Sequence, residues 1–278
     1  MEQKLQLASL ISSALHANKQ DLSRQFSTTR ERTNTRFFVL DDLLPREIPA
    51  QAYSEFPLET ESYLFRNSFR ERKFTFAKLN EHSSRLIEDL TDAFQEKEVI
   101  SILSEIAQIP DLEGDPSLYA GGISRMDRGH FLNPHLDNSH DGDGARYRRL
   151  NILYYVTPDI SETDGGNLEL WDDKVKSPTK IPAFFNRLVV METNIHSWHS
   201  VDPVKSDISR RCVSNYYFSK SSPELYEYRH LTQFMGRPEQ ALRRAFCRVD
   251  NTLRNIFFRA TGISRGKRLS RTYSDGEK

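Results

Sequence analysis

Two side chains that lie two positions apart share a face only where the backbone is extended, and this makes His135-Leu136-Asp137 the feature that most constrains the fold of this chain. In a strand, His135 and Asp137 point the same way from neighbouring rungs, with Leu136 turned to the other side. Such a pair can grip one ion, and a third ligand must then come from another strand passing close by. His199, in Trp198-His199-Ser200-Val201-Asp202-Pro203-Val204, stands at the start of a β-rich run and is placed to supply it. Two imidazoles and one carboxylate on one face of an octahedral ion leave the opposite face open, which is the donor set of a non-haem iron centre. A jelly-roll barrel brings strands so distant in sequence together.

The following strand opens with Arg210-Arg211-Cys212 and continues through Val213-Ser214-Asn215-Tyr216-Tyr217-Phe218. A guanidinium in a β-rich apolar strand is costly to bury unless a carboxylate meets it, and the strand contains no acidic residue. A bound dicarboxylate would match the planar fork of arginine, so the position points to an acidic cosubstrate. Two registers are open. With Arg210 inward, Cys212, Ser214 and Tyr216 also face inward and Arg211 shares the other face with Val213 and Asn215; with Arg211 inward, the faces exchange.

Four segments in order carry a family resemblance. They are Gly129-His130-Phe131-Leu132-Asn133-Pro134-His135-Leu136-Asp137; Arg148 to Val156 with the hairpin Gly165-Gly166-Asn167-Leu168-Glu169-Leu170-Trp171; Phe185 to Met191; and His199 to Phe218. From about Tyr119 to Phe218, a little over a third of its length, the chain resembles the 2-oxoglutarate and Fe(II)-dependent dioxygenases of the prolyl 4-hydroxylase-like superfamily. The resemblance implies an all-β core with flanking helices (α+β), in which a double-stranded β-helix, or jelly-roll, barrel is buttressed by helices. It implies that His135, Asp137 and His199 bind Fe(II), because the family ligand lies in a Trp-His-x-Val-x-Pro-Val run that fits His199 rather than His196. An Arg-x-Ser arrangement opens the corresponding strand in relatives, which favours Arg210 over Arg211 as the 2-oxoglutarate partner, with Cys212 in place of the serine and its hydroxyl donor.

Asn151, Leu153 and Tyr155 share one face of the central strand, and relatives use a tyrosine at the position of Tyr155 to hydrogen-bond the far carboxylate. A plain core aromatic is the other reading of Tyr155. Asn151 joins the implied cosubstrate set. The implied cofactors are Fe(II), 2-oxoglutarate as cosubstrate and O2, with ascorbate as an optional reductant. Asp137 argues against the halogenating branch, where a small residue replaces the carboxylate. The implied activity is hydroxylation of an unactivated C–H bond of a peptide, amino acid or small molecule, with release of succinate and CO2. The alternative is a non-catalytic metal- or sugar-binding jelly-roll module. Arg125 and Asn133 are further expected pocket residues, Arg125 facing an acidic substrate group.

Composition excludes more than it selects. With 39 basic and 39 acidic residues no global field favours a polyanionic partner, and 37% hydrophobic with 28% charged residues describes an ordinary soluble chain. Two cysteines, Cys212 and Cys247, offer no disulfide framework and suit a reducing compartment. Met1 to Leu15 lacks the apolar block of a signal peptide, and no run approaches the ~20 apolar residues of a membrane span. A cytoplasmic location is the resulting expectation.

The chain divides into an N-terminal helix and polar linker (1–36), a helical scaffold (37–116), the barrel core (117–220) and C-terminal helices with a basic tail (221–278). Ser23 to Asn34 reads as linker, Phe37 to Leu40 as a strand, Leu44-Pro45-Arg46-Glu47 as a helix start, and Ser83 to Ile106 as one broken or two successive helices. The loop Asn138 to Gly144 lacks calcium-loop spacing and is expected to border the site. Helices are expected over Glu224 to Phe234 and Pro238 to Ala260. Arg237 to Lys278 holds eleven basic against four acidic residues. It reads as a solvated face and tail, or as a surface for phosphate, nucleic acid or acidic glycan.

Overall fold

The structure, a computed structural model, describes residues 2–29, 33–58, 64–76, 83–115, 118 and 121–261. The expected barrel start at Ser117 and Tyr119 and the basic tail from Gly266 to Lys278 lie outside the described residues. Two helices, α1 (Glu2–Ala17) and α2 (Lys19–Thr28), lead into β1 (Phe37–Leu40) and α3 (Glu47–Ser54). β2 (Leu64–Asn67) and β3 (Glu71–Phe76) precede α4 (Arg85–Ala93) and α5 (Lys97–Ala107). The barrel strands follow as β4 (Gly122–Met126), β5 (Phe131–Leu136), β6 (Tyr147–Tyr155), β7 (Leu168–Trp171), β8 (Pro178–Ile181), β9 (Arg187–Glu192), β10 (His199–Val201) and β11 (Arg210–Ser219). A two-residue strand, β12 (Gln233–Phe234), and the helix α6 (Ala241–Thr261) complete the described chain.

The strands pair in the order β1-β9-β6-β11-β4-β3-β5-β10-β7-β8, with β12 on β5 and β2 on β3, every ladder antiparallel. This is a double-stranded β-helix. β3 turns the corner between the two halves, since Phe74 to Phe76 pair with β4 while Glu71 and Arg72 pair with β5.

Strand alternation sorts the central strands into two cores. Leu150, Ile152 and Tyr154 of β6, Leu188 and Val190 of β9, and Val213 and Tyr217 of β11 pack outward against Leu7, Ile11, Leu90, Phe94 and Ile102 of the helical layer. Tyr155, Val189, Met191 and Cys212 face the barrel interior with Leu168, Leu170 and Ile181. The helical run after Ser83 is two helices. Ser84 caps the first by accepting from the Ile87 N–H, and Gln108 ends the second in the left-handed conformation at φ 57°.

Two expectations are corrected. Ser23 to Thr28 are helix rather than linker, because Leu22 and Phe26 on α2 are buried and anchor an otherwise polar sequence. Glu224 to Thr232 are not helical, and Gln233-Phe234 pair as strand with β5, because the exposed edge of β5 offers backbone partners that a helix could not use. No helix among the described residues is long and apolar enough to cross a membrane.

Candidate metal and cosubstrate site

His135 is the penultimate residue of β5 and His199 begins β10, and the two are directly opposite in the antiparallel ladder. Asp137 follows β5 by one residue. The alternation that separates Leu136 from its neighbours brings ligand atoms of His135, Asp137 and His199 within 4.8 Å of one another. His135 Nε2 lies 3.6 Å from Asp137 Oδ1 and His199 Nε2 lies 3.7 Å from Asp137 Oδ2.

The other ring nitrogens are committed. His135 Nδ1 sits 3.1 Å from the Asn133 carbonyl and His199 Nδ1 2.9 Å from the Ser197 carbonyl, each two residues back along its own chain. Nδ1–H donation to a carbonyl fixes the tautomer and leaves both Nε2 lone pairs aimed at the shared centre. Burial and the neighbouring His199 lower the His135 pKa to about 3 against the pull of Asp137, so its imidazole is neutral and able to ligate. Burial disfavours the Asp137 carboxylate, but the Arg148 guanidinium outweighs it and holds its carboxyl well below the ordinary range. Asp137 Oδ2 is buried without a hydrogen bond. A divalent cation would satisfy that oxygen, so the donor set fits Fe(II) by chemistry as well as by position.

His196, the competing histidine of the sequence, is half-exposed and 3.1 Å from Asp173, away from this cluster. Phe234 of β12 stacks on His135, with ring centroids 5.4 Å apart and an interplanar angle of 19°.

Arg148 comes to the site through a β-bulge. Tyr217 of β11 faces Leu150 and Phe218 faces Arg148, so Arg149 is an extra residue on β6 that reverses the facing of what precedes it. Arg148 is thereby turned inward, 2% exposed, 3.3 Å from Asp137 Oδ2 and 4.0 Å above the Tyr216 ring. Sequence reasoning passed over this residue, and the Arg148-Arg149 doublet at the head of an apolar strand was the signal for it.

The arginine doublet of β11 is divided by the pairing register. Arg210 shares the interior with Cys212 and Tyr155. Its Nε donates to the Gly166 carbonyl at 2.8 Å and its guanidinium lies 4.8 Å above the Tyr155 ring. Gly166 is required there, since its φ is 73° and a Cβ would stand 2.9 Å from Arg210 Cδ. Among the described residues, no carboxylate lies within salt-bridge distance of Arg210, although it is 3% exposed. The Tyr155 hydroxyl and Asn151 Oδ1 are likewise buried without a hydrogen-bond partner among them. Burial pushes Tyr155 up to about 12 and Cys212 up to about 11, so both remain neutral donors at neutral pH. A buried cation with no anion and a neutral hydroxyl with no partner form a cradle that a carboxylate would complete.

Arg211 faces the other way, donating to the Tyr53 carbonyl and lying 4.0 Å above the Tyr53 ring. Arg125 pairs with it on the outer face, where it is held by Asp127 at 2.8 Å and by the Leu58 carbonyl. The expectation that Arg125 lines the pocket is therefore corrected, because its guanidinium is already satisfied by groups of its own chain. Asn133 is buried and donates to the Phe69 carbonyl at 2.8 Å.

Asp137 borders a crevice too narrow to admit a water molecule, lined by Asn138, Ser139, Arg148, Thr193, Asn194, Tyr228 and His230. Thr193 Oγ1, Asn194 Nδ2 and His230 Nε2 are buried there without hydrogen-bond partners among the described residues. His230 Nδ1 faces the Leu231 carbonyl at 3.0 Å, and burial lowers its pKa, so Nε2 is an acceptor directed away from the backbone. Neither His230 nor Phe234 carried a signal in the sequence, because their segment read as helix. In the loop that follows Asp137, the Asp141 carboxylate is spent on Ala145 N–H and Arg146, which agrees with its lack of calcium-loop spacing.

Residues 121–219 match the family model described as the 2OG-Fe(II) oxygenase superfamily. Comparison with curated protein sequences yields no significant match. Among solved structures, the chain is similar to a prolyl hydroxylase from Trichoplax adhaerens in complex with a hypoxia inducible factor oxygen degradation domain peptide fragment. That likeness has 17% identity and a TM-score of 0.53, and covers 74% of this chain and 92% of the other. It is also similar to a Pseudomonas putida prolyl-4-hydroxylase, with 15% identity and a TM-score of 0.50, over 72% and 99% of the two chains. Prolyl 4-hydroxylases from Phytophthora capsici give 17% identity and a TM-score of 0.52, over 89% and 75%. At these identities the structural likeness establishes the fold, a jelly-roll double-stranded β-helix.

Proposed function

We propose that this chain is a 2-oxoglutarate- and Fe(II)-dependent oxygenase that hydroxylates an unactivated C–H bond of a peptide substrate, with release of succinate and CO2. The observation that carries this reading is the coincidence, in one barrel, of the His135, Asp137, His199 cluster with an Arg210 guanidinium that has no carboxylate of its own. A sugar-binding or purely metal-binding jelly roll has no use for that second feature.

In this proposal His135, Asp137 and His199 hold Fe(II), and Arg210 and Tyr155 receive the far carboxylate of 2-oxoglutarate, with Asn151 on the same face. When bound, the iron and cosubstrate supply the oxidation of the substrate C–H bond by O2. The chain's own part is positioning and exclusion of water. The Nδ1–H donations to Asn133 and Ser197 fix the tautomers and align both Nε2 atoms, and Arg148 holds the Asp137 carboxylate ionised. The crevice beside Asp137 offers Asn194 as donor and His230 as acceptor, the pair of groups a peptide amide would satisfy. The Trichoplax neighbour holds a peptide fragment, which supports a peptide over a free small molecule. We place the catalytic core at 117–220, completed by the segment to Phe234 that backs His135.

The test is a screen of proline-containing peptides for 2-oxoglutarate-dependent gain of one oxygen atom with matching succinate. Asp137→Ala should abolish substrate-stimulated succinate formation and bound Fe(II) together. Full activity in that variant, or a protein that takes up neither Fe(II) nor 2-oxoglutarate, would remove the proposal.

A further inference from the structure

One face of α6 is docked on the barrel. Asp250 pairs with Arg70, Asn251 exchanges hydrogen bonds with the backbone of Phe234, Cys247 is buried, and Arg244 donates to the carbonyls of Lys174, Val175 and Gly236. Away from that contact the helix carries Leu242, Phe246, Val249, Leu253 and Ile256 at alternating steps of four and three residues, with Phe246 at the edge of the row, where its ring also meets Phe69 edge-on at 5.2 Å. These side chains are 90, 55, 60, 62 and 60% exposed. At about 100° per residue they fall within an arc of roughly 80°, a continuous apolar stripe turned to solvent. Contiguous exposed side chains of this size mark an interaction surface rather than incidental exposure.

Charge decides what covers it. α6 holds Arg243, Arg244, Arg248, Arg254 and Arg259 against the single Asp250. The residues that continue from it to the C-terminus add Arg265, Lys267, Arg268, Arg271 and Lys278 against Asp275 and Glu277. The chain as a whole is formally neutral, so the five arginines of α6 against one aspartate are a local excess in the helix that bears the stripe. A second copy of the helix would bring arginines against arginines, and one seam of five side chains falls short of the ~800 Å² per partner of a stable interface.

We propose that α6 forms a docking surface for an anionic lipid bilayer. The helix lies in the plane of the interface, with Leu242, Val249, Leu253 and Ile256 entering the acyl boundary. Arg243 and Arg248, which flank the stripe on its two sides, extend to the lipid phosphates. The docked face ties the oxygenase barrel to that surface through Asp250 and Asn251.

The full-length protein should co-sediment with vesicles of phosphatidylcholine and phosphatidylserine at least tenfold more strongly than with phosphatidylcholine alone, and added salt should weaken the binding. A Leu253→Ser/Ile256→Ser double variant, neutral in charge and confined to the exposed face, should keep the wild-type circular dichroism and melting temperature. It should lose roughly tenfold or more of the vesicle binding. Arg248→Glu should lower binding without changing the fold. Absence of binding to the phosphatidylserine vesicles overturns the proposal, as does undiminished binding of the double variant. Concentration-dependent self-association that the double variant abolishes also overturns it, by giving the face to a second copy of the chain.

Discussion

Arg210 and Arg211 are adjacent in sequence and opposite in circumstance. The first is buried under the barrel wall with Gly166 and Tyr155, the second lies on the Tyr53 ring outside it. Replacing Arg210 by Met removes the one inward cation of that cradle. We expect calorimetric affinity for 2-oxoglutarate to fall by about 1.5–3 kcal/mol, roughly 10–150-fold, while Mn(II) binding persists. Arg211→Met should leave 2-oxoglutarate affinity unchanged and lower the melting temperature, since it costs a cation–π contact and a carbonyl partner. Equal affinities in the two variants would reverse the assignment. The doublet could not be resolved from sequence for a physical reason: a strand puts one residue of any adjacent pair on each face, and only the pairing of Cys212 with Tyr155 fixes which. The candidate metal ligands were legible because His135-x-Asp137 needs no more than the period of one strand. Arg148 was not, because the bulge at Arg149 breaks that period.

Among the elements, the return of the chain after β11 has the largest effect on the site. Residues 228–237 run back across the barrel. His230 N–H donates to Ser139 Oγ, Met235 N–H donates to the Pro134 carbonyl, and Arg237 meets the buried Glu169 at 2.7 Å. Phe234, held in this strap, is 8% exposed and backs the His135 imidazole. Phe234→Ala should destabilise the protein by about 3 kcal/mol in urea unfolding and weaken Mn(II) binding, because the ligand loses the surface that orients it. Unchanged metal affinity in a variant of that lowered stability would limit Phe234 to packing. This element was misread as helix because a two-residue strand has no periodicity of its own; what brings it into existence is the unpaired edge of β5, a property of the assembled sheet. The paired helices α4 and α5, by contrast, were readable from apolar spacing alone, since Leu86, Leu90, Val99, Leu103 and Ile106 all bury.

For the molecule as a whole, acid should be the destabilising direction. Burial lowers the pKa of His135 to about 3, and burial with Arg229 nearby lowers that of His140 to about 4, while His130 and His230 shift the same way. Each takes up a proton more readily in the unfolded chain, near pH 6.5, than in the folded one. Stability of the metal-free protein therefore rises with pH between about 4 and 6.5 and is lost as pH falls through that window. The urea midpoint should be lower at pH 5 than at pH 7, and His140→Gln should reduce the difference; a midpoint that rises on acidification would contradict this account. The topology also sets an order of events in synthesis. β5 receives β3 from residues 71–72, β10 from 199–201 and β12 from 233–234, so the strand that bears His135 waits for partners made on both sides of it. A nascent chain still short of Phe234 has all three ligands emerged yet no backing for the first of them. Metal uptake at the proposed site is thus expected only once the chain has been made as far as Phe234.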